Sequence, residues 1–119
     1  MNERLTGERT LMRVFVGESD KAVSGPYSGK SLWEALLRDF RERGLAGATV
    51  VRAISGFGAS ARRRTILSEY LSLDLPIVVE VVDTEENINQ ILPDLDQMIG
   101  GGLVTLEKVK VIIYRGAER

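Results

Sequence analysis

The stretch Pro76-Ile77-Val78-Val79-Glu80-Val81-Val82 indicates the fold class of this 119-residue chain. Every residue in it except Glu80 is apolar and most are β-branched, which predicts a well-buried strand. Asp83 and Glu86 then stand three residues apart, the spacing of a capping box at the start of a helix. An apolar stripe at helical spacing follows, formed by Ile88, Ile91, Leu92, Leu95 and Met98. A buried strand that leads directly into an amphipathic helix predicts a mixed α and β domain.

The chain beyond this strand predicts the end of the helix and a last strand. Pro93 lies inside the apolar stripe and predicts a kink or a locally broken turn, because proline has no backbone N–H to donate. Gly100, Gly101 and Gly102 are expected to end the helix. Strand-like alternation follows, of Val109, Val111 and Ile113 with Lys108, Lys110 and Ile112. The second half of the chain is therefore predicted as strand, helix, strand.

The first half of the chain has the same order of elements. Residues 10–16 are almost entirely apolar and predict a strand. Ser31 and Glu34 have capping-box spacing, so a helix is predicted to open at Ser31 and to stop at Gly44. Its apolar face consists of Trp33, Leu36, Leu37 and Phe40. Residues 48–54, which are rich in β-branched side chains, predict a short second strand.

This order predicts an α+β fold, the ferredoxin-like βαββαβ sandwich, with a four-stranded antiparallel sheet and two helices on one face. We expect a single domain over residues 1–119, with a long loop at about residues 56–75. Residues 59–73 of that loop are expected to be mobile, because they have little apolar surface to bury. Since the strands are apolar on both faces and two helices can cover only one, the other face predicts an oligomer.

Composition excludes several classes of function. Sixteen basic against seventeen acidic residues leave a net charge of −1, so no global field would hold the chain on nucleic acid or on an anionic bilayer. The chain has no histidine and no cysteine, which removes the commonest general base, thiol chemistry and the usual zinc ligands. We expect neither enzymatic activity nor a metal site. No apolar run reaches membrane-spanning length, and the polar start lacks the features of a secretory signal, so a cytoplasmic protein is expected.

Two glycine clusters and one arginine run are the candidate sites. Backbone N–H groups at Gly56-Phe57-Gly58, followed by Ala59 and Ser60, could donate to an anion, although the same motif suits a strand-end turn. Gly100-Gly101-Gly102 allows the same two interpretations, with a helix end as the structural one. Arg62, Arg63 and Arg64 are either a solvated charge run or a contact for an acidic partner surface, and we interpret them as partner-binding.

Five motifs carry a family resemblance across nearly the whole chain. They are Gly17-Glu18-Ser19-Asp20, Gly47-Ala48-Thr49-Val50, Gly56-Phe57-Gly58-Ala59, Leu75-Pro76-Ile77-Val78-Val79-Glu80 and Leu103-Val104-Thr105-Leu106-Glu107-Lys108-Val109. With these motifs the chain resembles PII-like proteins, and more closely the bacterial and archaeal family known as domain of unknown function 190. The Gly-Phe-Gly motif looks like the base of the mobile loop of the PII nitrogen regulators.

The resemblance implies a homotrimer that binds an adenine nucleotide or another small anion in clefts between subunits. Of the PII phosphate ligands, only Arg115 keeps its charge in this sequence, while Ala59, Ser60, Leu103 and Ile113 replace the others. In this fold the end of the second strand and the start of the fourth lie at the same end of the sheet. The implied site combines Gly56, Phe57, Gly58, Ala59 and Ser60 of one subunit with Gly100, Gly101 and Gly102 of its neighbour and with Arg115. The resemblance also implies a membrane transporter or channel as a partner, because genes of the family often lie beside a small fluoride-exporting channel.

Three hypotheses follow for the function. The leading one is a trimeric signalling protein that senses a small anionic metabolite or nucleotide and acts on a partner through its long loop. The second is an adaptor of the same fold that binds a partner constitutively, without a ligand. The third is a small enzyme that relies on carboxylates. Ligand-dependent ordering of the loop would separate the first hypothesis from the second, and steady turnover of a nucleotide would support the third.

Overall fold

The computed structural model describes residues 5–58 and 74–116, which form an antiparallel sheet packed against two helices. The elements in chain order are β1 (Gly7–Gly17), α1 (Leu32–Glu42), β2 (Thr49–Arg52), β3 (Pro76–Asp83), α2 (Glu85–Met98) and β4 (Leu103–Val111). The strand order is β2-β3-β1-β4, so β1 and β3 are central while β2 and β4 form the edges. The predicted ferredoxin-like α+β fold is confirmed.

The hydrophobic core lies between the sheet and the helices. Along β3 the buried side chains are Ile77, Val79, Val81 and Asp83, and they alternate with half-buried ones, as a strand with one covered face requires. The buried residues of the helices are Leu32, Ala35, Leu36 and Phe40 in α1, and Ile88, Ile91, Leu95 and Met98 in α2. Neither of these helices, the two that the described residues form, is long and apolar enough to cross a membrane.

The other face of the sheet, here called the open face, carries an ion-pair network across three strands. The guanidinium of Arg13 on β1 donates from Nε to Glu80 on β3 and from Nη1 to Glu107 on β4, both at 2.9 Å. The hydrogen bond to Glu80 is the main reason that the pKa of Arg13 is raised. All three side chains are more than one-third exposed, so the network contributes little to the stability of a single copy.

Both predicted capping boxes are wrong in detail. Ser31 is the N-cap residue of α1, but its side chain makes no capping hydrogen bond, and its backbone pairs with Lys21 in an isolated β-bridge. The N-cap of α2 is Thr84 and not Asp83, since the Thr84 hydroxyl accepts a hydrogen bond from the Asn87 N–H at 3.1 Å. Asp83 instead belongs to the buried end of β3.

Several element boundaries also differ from the predictions. β1 begins at Gly7, three residues earlier than predicted, and pairs with β4 along the added part. β2 spans only Thr49–Arg52, because its pairing with β3 ends there, and β4 ends at Val111. α2 continues through Pro93, so a broken turn is not formed. Residues 59–73, with Ala59, Ser60, Arg62, Arg63, Arg64 and the predicted mobile segment, lie outside the described residues.

Candidate functional site

One end of the sheet, here called the loop end, collects both predicted glycine clusters. β1 and β2 finish there while β3 and β4 begin, as the pairs Gly17 with Pro76 and Phe15 with Leu103 show. Gly56 follows β2 and Gly102 precedes β4, so both clusters lie at this end, as predicted.

Within one copy, however, the two clusters lie at opposite edges of the sheet. β3 and β1 separate β2 from β4. Three strand spacings amount to about 14 Å. A compact ligand therefore cannot touch both clusters of the same copy, and a site that combines them needs a second copy of the chain.

Three of the glycines are explained by close packing. A Cβ atom on Gly102 would lie 2.8 Å from the Phe15 carbonyl oxygen, and one on Gly100 would lie 2.7 Å from Cγ1 of Val23. A Cβ atom on Gly56 would lie 3.2 Å from Cγ of Pro76. These contacts favour the structural interpretation at all three positions.

Two glycines face open space instead. A Cβ atom on Gly58 or on Gly101 would meet no described atom within 4 Å. The large apolar side chains beside Gly58 are also uncovered, since Phe57 is 81% exposed and Ile54 is 92% exposed. Gly58 and Gly101 are therefore the members of the two clusters that have room for a ligand or a partner.

A group of contacts that the sequence analysis missed, here called the clasp, holds the two stems of the long loop. The Glu18 N–H donates to the Leu75 carbonyl at 3.0 Å, and the Ser19 N–H donates to the Asp74 carboxylate at 2.9 Å. The Glu18 carboxylate pairs with Nε of Arg52 at 3.0 Å. Arg52 ends the strand before the loop, so the turn after β1 binds the chain on both sides of residues 59–73.

The clasp gives the Gly17-Glu18-Ser19-Asp20 motif a structural role. Asp20 closes the turn by accepting a hydrogen bond from the Gly17 N–H at 2.8 Å. Glu18, which pairs with Arg52, is likewise engaged within the protein. Within residues 5–58 and 74–116, no group of three or more acidic, histidine or cysteine side chains could hold a metal ion.

Arg115 lies at the other end of the sheet, away from the glycine clusters of its own copy. β4 runs from Leu103 at the loop end to Val111, which pairs with Gly7 at the start of β1. Nine strand residues span about 27 Å. The predicted combination of Arg115 with the glycines is therefore not formed within one copy, because the first and last residues of a strand lie at opposite ends of the sheet.

An open cavity of about 430 Å³ lies on the open face toward this second end, here called the cavity end. Its apolar lining comes from Leu5, Leu11, Val82 and Val111, and its polar lining includes Glu80 and Tyr114. Residues 46–49, which comprise the turn between α1 and β2 and the first residue of β2, form one wall. No local sequence motif indicates this cavity, because its walls come from both ends of the chain and from all four strands.

The turn that walls the cavity is held from both sides. Asp83, only 2% exposed, accepts hydrogen bonds from the Ala46 N–H at 2.9 Å and from the Thr84 N–H at 2.7 Å. It also accepts from the Asn87 amide at 2.8 Å. From the other side, the Tyr114 hydroxyl donates to the Ala46 carbonyl at 3.3 Å. This wall is therefore preformed, as a binding pocket requires.

The lining of the cavity suits an apolar group, and the arginine nearest to it in sequence, Arg115, lies outside the lining. Glu80 is already paired with Arg13, which compensates its charge at the cavity wall. Arg115 directly follows Tyr114 and is exposed, so it supplies a cation close to the cavity in sequence. An apolar ring fits the lining, and a guanidinium pairs with phosphate or carboxylate.

Comparison with known proteins assigns the chain to a family. Residues 9–111 match the model of DUF190, which is described as an uncharacterized ACR. The chain belongs to the DUF190 family. It is 39% identical over 105 residues to a UPF0166 protein of Aquifex aeolicus, covering 88% of this chain and 94% of the relative.

A solved structure supports the PII-like fold. A putative PII-like signaling protein from Thermus thermophilus superposes with a TM-score of 0.59 at 19% identity, covering 89% of this chain and 91% of the other. A CPII from Thiomonas intermedia K12, bound to ADP and bicarbonate, gives a TM-score of 0.49 at 17% identity, covering 87% and 88%. The likeness to the Thermus protein establishes the fold of this DUF190 chain, and at such low identity it assigns no ligand.

Proposed function

We propose that this DUF190 protein is a cytoplasmic, trimeric PII-like signalling protein that senses a small anionic metabolite or nucleotide and acts on a partner through residues 59–73. The observation that carries the proposal is the connection between the cavity and the loop. Residues 46–49 wall the cavity, continue directly into β2 and reach the long loop after only a few residues. Because β2 is short and, among the described strands, pairs with β3 alone, a ligand bound against residues 46–49 can displace β2 at low cost.

The ligand that this arrangement favours has an apolar ring for the cavity and an anionic group for Arg115. An adenine nucleotide has both parts, and so does an aromatic or heterocyclic carboxylate. Binding and release are the proposed activity, not catalysis. Arg62, Arg63 and Arg64 are proposed to contact an acidic surface of the partner, for which a membrane transporter or channel is our candidate.

Exposed apolar side chains at the two sheet edges support a closed oligomer. Val51, Ile54 and Phe57 are exposed on the β2 side, whereas Leu103, Val104, Leu106, Ile112 and Ile113 are exposed on or just after β4. A patch on one edge that meets a different patch on the neighbouring copy forms a ring when the rotation closes. Light scattering should give three times the chain mass of 13.2 kDa. A stable monomer at micromolar concentration would refute the trimer.

Calorimetry with ATP, ADP, AMP and small carboxylates tests the ligand site. Val82→Trp fills the cavity from the sheet and should weaken binding by at least about tenfold, because it removes the space for the ring. Val78→Trp places the same side chain four residues earlier on the same face and should leave the affinity unchanged. Arg115→Ala should cost about 1.5–3 kcal/mol of binding free energy, the scale of a hydrogen bond to a charged group.

Gly58→Val tests whether the glycine cluster of a neighbouring copy completes the site. Because position 58 faces open space, the valine should leave the fold intact and abolish binding only if a ligand occupies that space. A tight ligand whose affinity survives Val82→Trp, Arg115→Ala and Gly58→Val in an intact oligomer would refute the proposed site.

The exposure of Ile54 and Phe57 also favours a second candidate, the ligand-independent adaptor. Exposed apolar side chains at the base of a loop are typical anchors for a protein partner. If partner binding requires these side chains and is insensitive to every ligand that binds the cavity, the adaptor function is correct. If a ligand changes partner affinity, the signalling function is correct.

A further inference from the structure

A pair of carboxylic acids links the two helices at a place remote from the open face. Asp39 lies on α1 and Asp94 on α2. Arg43, which follows α1, donates to both oxygens of Asp94 at 2.8 Å, so Asp94 is held as a carboxylate in a bidentate pair.

Asp39 has no comparable partner among the described residues. Its Oδ2 atom is buried and receives no hydrogen bond from any donor group among the described residues. An unpaired buried carboxylate oxygen is costly, whereas a protonated oxygen can donate to a neighbouring carboxylate. A proton on Asp39 would therefore relieve the cost of burying this oxygen.

The charges around Asp39 support the same conclusion. Asp39 faces Asp94 of α2, Glu42 of α1 and Arg43, so two carboxyl groups and one guanidinium act on it. Tyr27, from the loop before α1, donates to Glu42 at 2.5 Å and brings no positive charge. Burial, then the hydrogen bond with Asp94 and its charge, raise the pKa of Asp39 to about 6. The pKa of Asp94 is lowered by its hydrogen bonds to Arg43 and Asp39, despite its burial.

We infer that Asp39 and Asp94 share a single proton, which forms a pH-sensitive link between α1 and α2. When Asp39 is protonated, its O–H donates to the Asp94 carboxylate, which also accepts hydrogen bonds from Arg43. When Asp39 ionises, the proton passes to water, the hydrogen bond is lost and two negative charges face each other across the helix contact. The link then loosens at the end of α1, next to the turn that walls the cavity.

The direction of the pH dependence follows from the raised pKa of Asp39. Between the ordinary Asp value of 3.8 and about 6, the folded state binds more protons at this site than the unfolded state. The stabilisation is therefore complete below the ordinary value and is lost as the pH rises through about 6. The lowered pKa of Asp94 affects the stability only when the pH falls below the ordinary range of Asp pKa values.

The test compares the full chain with Asp39→Asn, whose amide donates to Asp94 at every pH, and with Asp96→Asn, an exposed control on the same helix as Asp94. Thermal unfolding is measured from pH 5 to pH 8. We expect the melting temperature of Asp39→Asn to exceed that of the wild type by about 4 °C or more at pH 8, with the difference shrinking toward pH 5. Asp96→Asn should follow the wild type throughout.

Carboxyl ¹³C NMR of the wild type keeps the inference testable if Asp39→Asn does not fold. Asp39 should titrate near pH 6, and Asp94→Asn should lower that midpoint, because it removes the carboxylate that accepts the proton. Parallel melting curves for wild type and Asp39→Asn, or titration of Asp39 in the ordinary Asp range, would overturn the proton link.

Discussion

The two ends of the sheet are held by different kinds of contact, and this difference makes one end rigid and the other adjustable. At the cavity end, a carboxylate that is 2% exposed fixes the turn between α1 and β2 through backbone hydrogen bonds. At the loop end, the clasp holds the chain through contacts that include an ion pair whose side chains are 51% and 35% exposed. Buried hydrogen bonds resist opening, whereas exposed ion pairs exchange readily with water. The cavity end is thus the rigid half of the site and the loop end the adjustable half.

This contrast gives the proposed signal a direction. A ligand binds against a preformed wall at the cavity end. Its effect is transmitted through β2 to the clasp, whose contacts open at low cost. Proteins open locally most readily in regions with few buried contacts. The predictions below test whether the two ends differ in stability as their contacts indicate.

The largest effect is expected from Asp83→Ala at the cavity end. The substitution leaves the N–H groups of Ala46 and Thr84 without their acceptor, which should lower the free energy of unfolding by about 3–4 kcal/mol. Urea denaturation measures this change. Asp83→Asn keeps one acceptor oxygen and should cost clearly less. Equal losses for both variants would mean that the hydrogen bonds do not hold the turn.

A smaller effect is expected from Gly102→Ala at the loop end. The new methyl group would lie 2.8 Å from the Phe15 carbonyl oxygen, a backbone atom that cannot move aside without shifting β1. We expect a loss of about 2 kcal/mol in urea denaturation. Gly101→Ala is the matched control, since its methyl group meets open space, and it should change stability far less. A large loss for Gly101→Ala would show that Gly101 also serves packing.

Features that depend on neighbouring residues were predictable from the sequence, whereas features that depend on contacts between distant residues were not. The strand at Pro76–Asp83 was predicted well because its run of β-branched residues favours a strand locally. The cap of α2 was placed one residue early because Asp83 and Thr84 are both capping residue types. The choice between them depends on Ala46, which is distant in sequence and engages Asp83 instead.

The candidate site was predictable only in part, for the same reason. The predicted order of the strands placed both glycine clusters at one end of the sheet. The sequence could not separate Gly101 from the packed Gly102, because that distinction depends on the carbonyl of Phe15. The cavity was missed because Leu5 and Tyr114 meet there from opposite ends of the chain. Arg115 was assigned to the glycines by resemblance, whereas the length of β4 places it at the cavity end of its own copy.

The smallest expected effect, and the most specific test of the adjustable half, is a double-mutant cycle on the clasp. Glu18→Gln and Arg52→Gln each remove one charge of the pair at 3.0 Å. Arg52 makes a further interaction, so a single substitution would overstate the energy of the ion pair. The double-mutant cycle isolates the energy of the pair itself. We expect a coupling energy of about 0.5 kcal/mol, because both side chains are substantially exposed and screened by water and salt. Urea denaturation of the four proteins at low ionic strength measures the coupling, and added salt should reduce it.

Hydrogen exchange at the Glu18 and Ser19 amides should increase in both single variants, since these amides hold the second stem of the loop. A coupling as large as the loss in Asp83→Ala would show that the loop end is as firmly held as the cavity end, and the proposed direction of the signal would then be wrong.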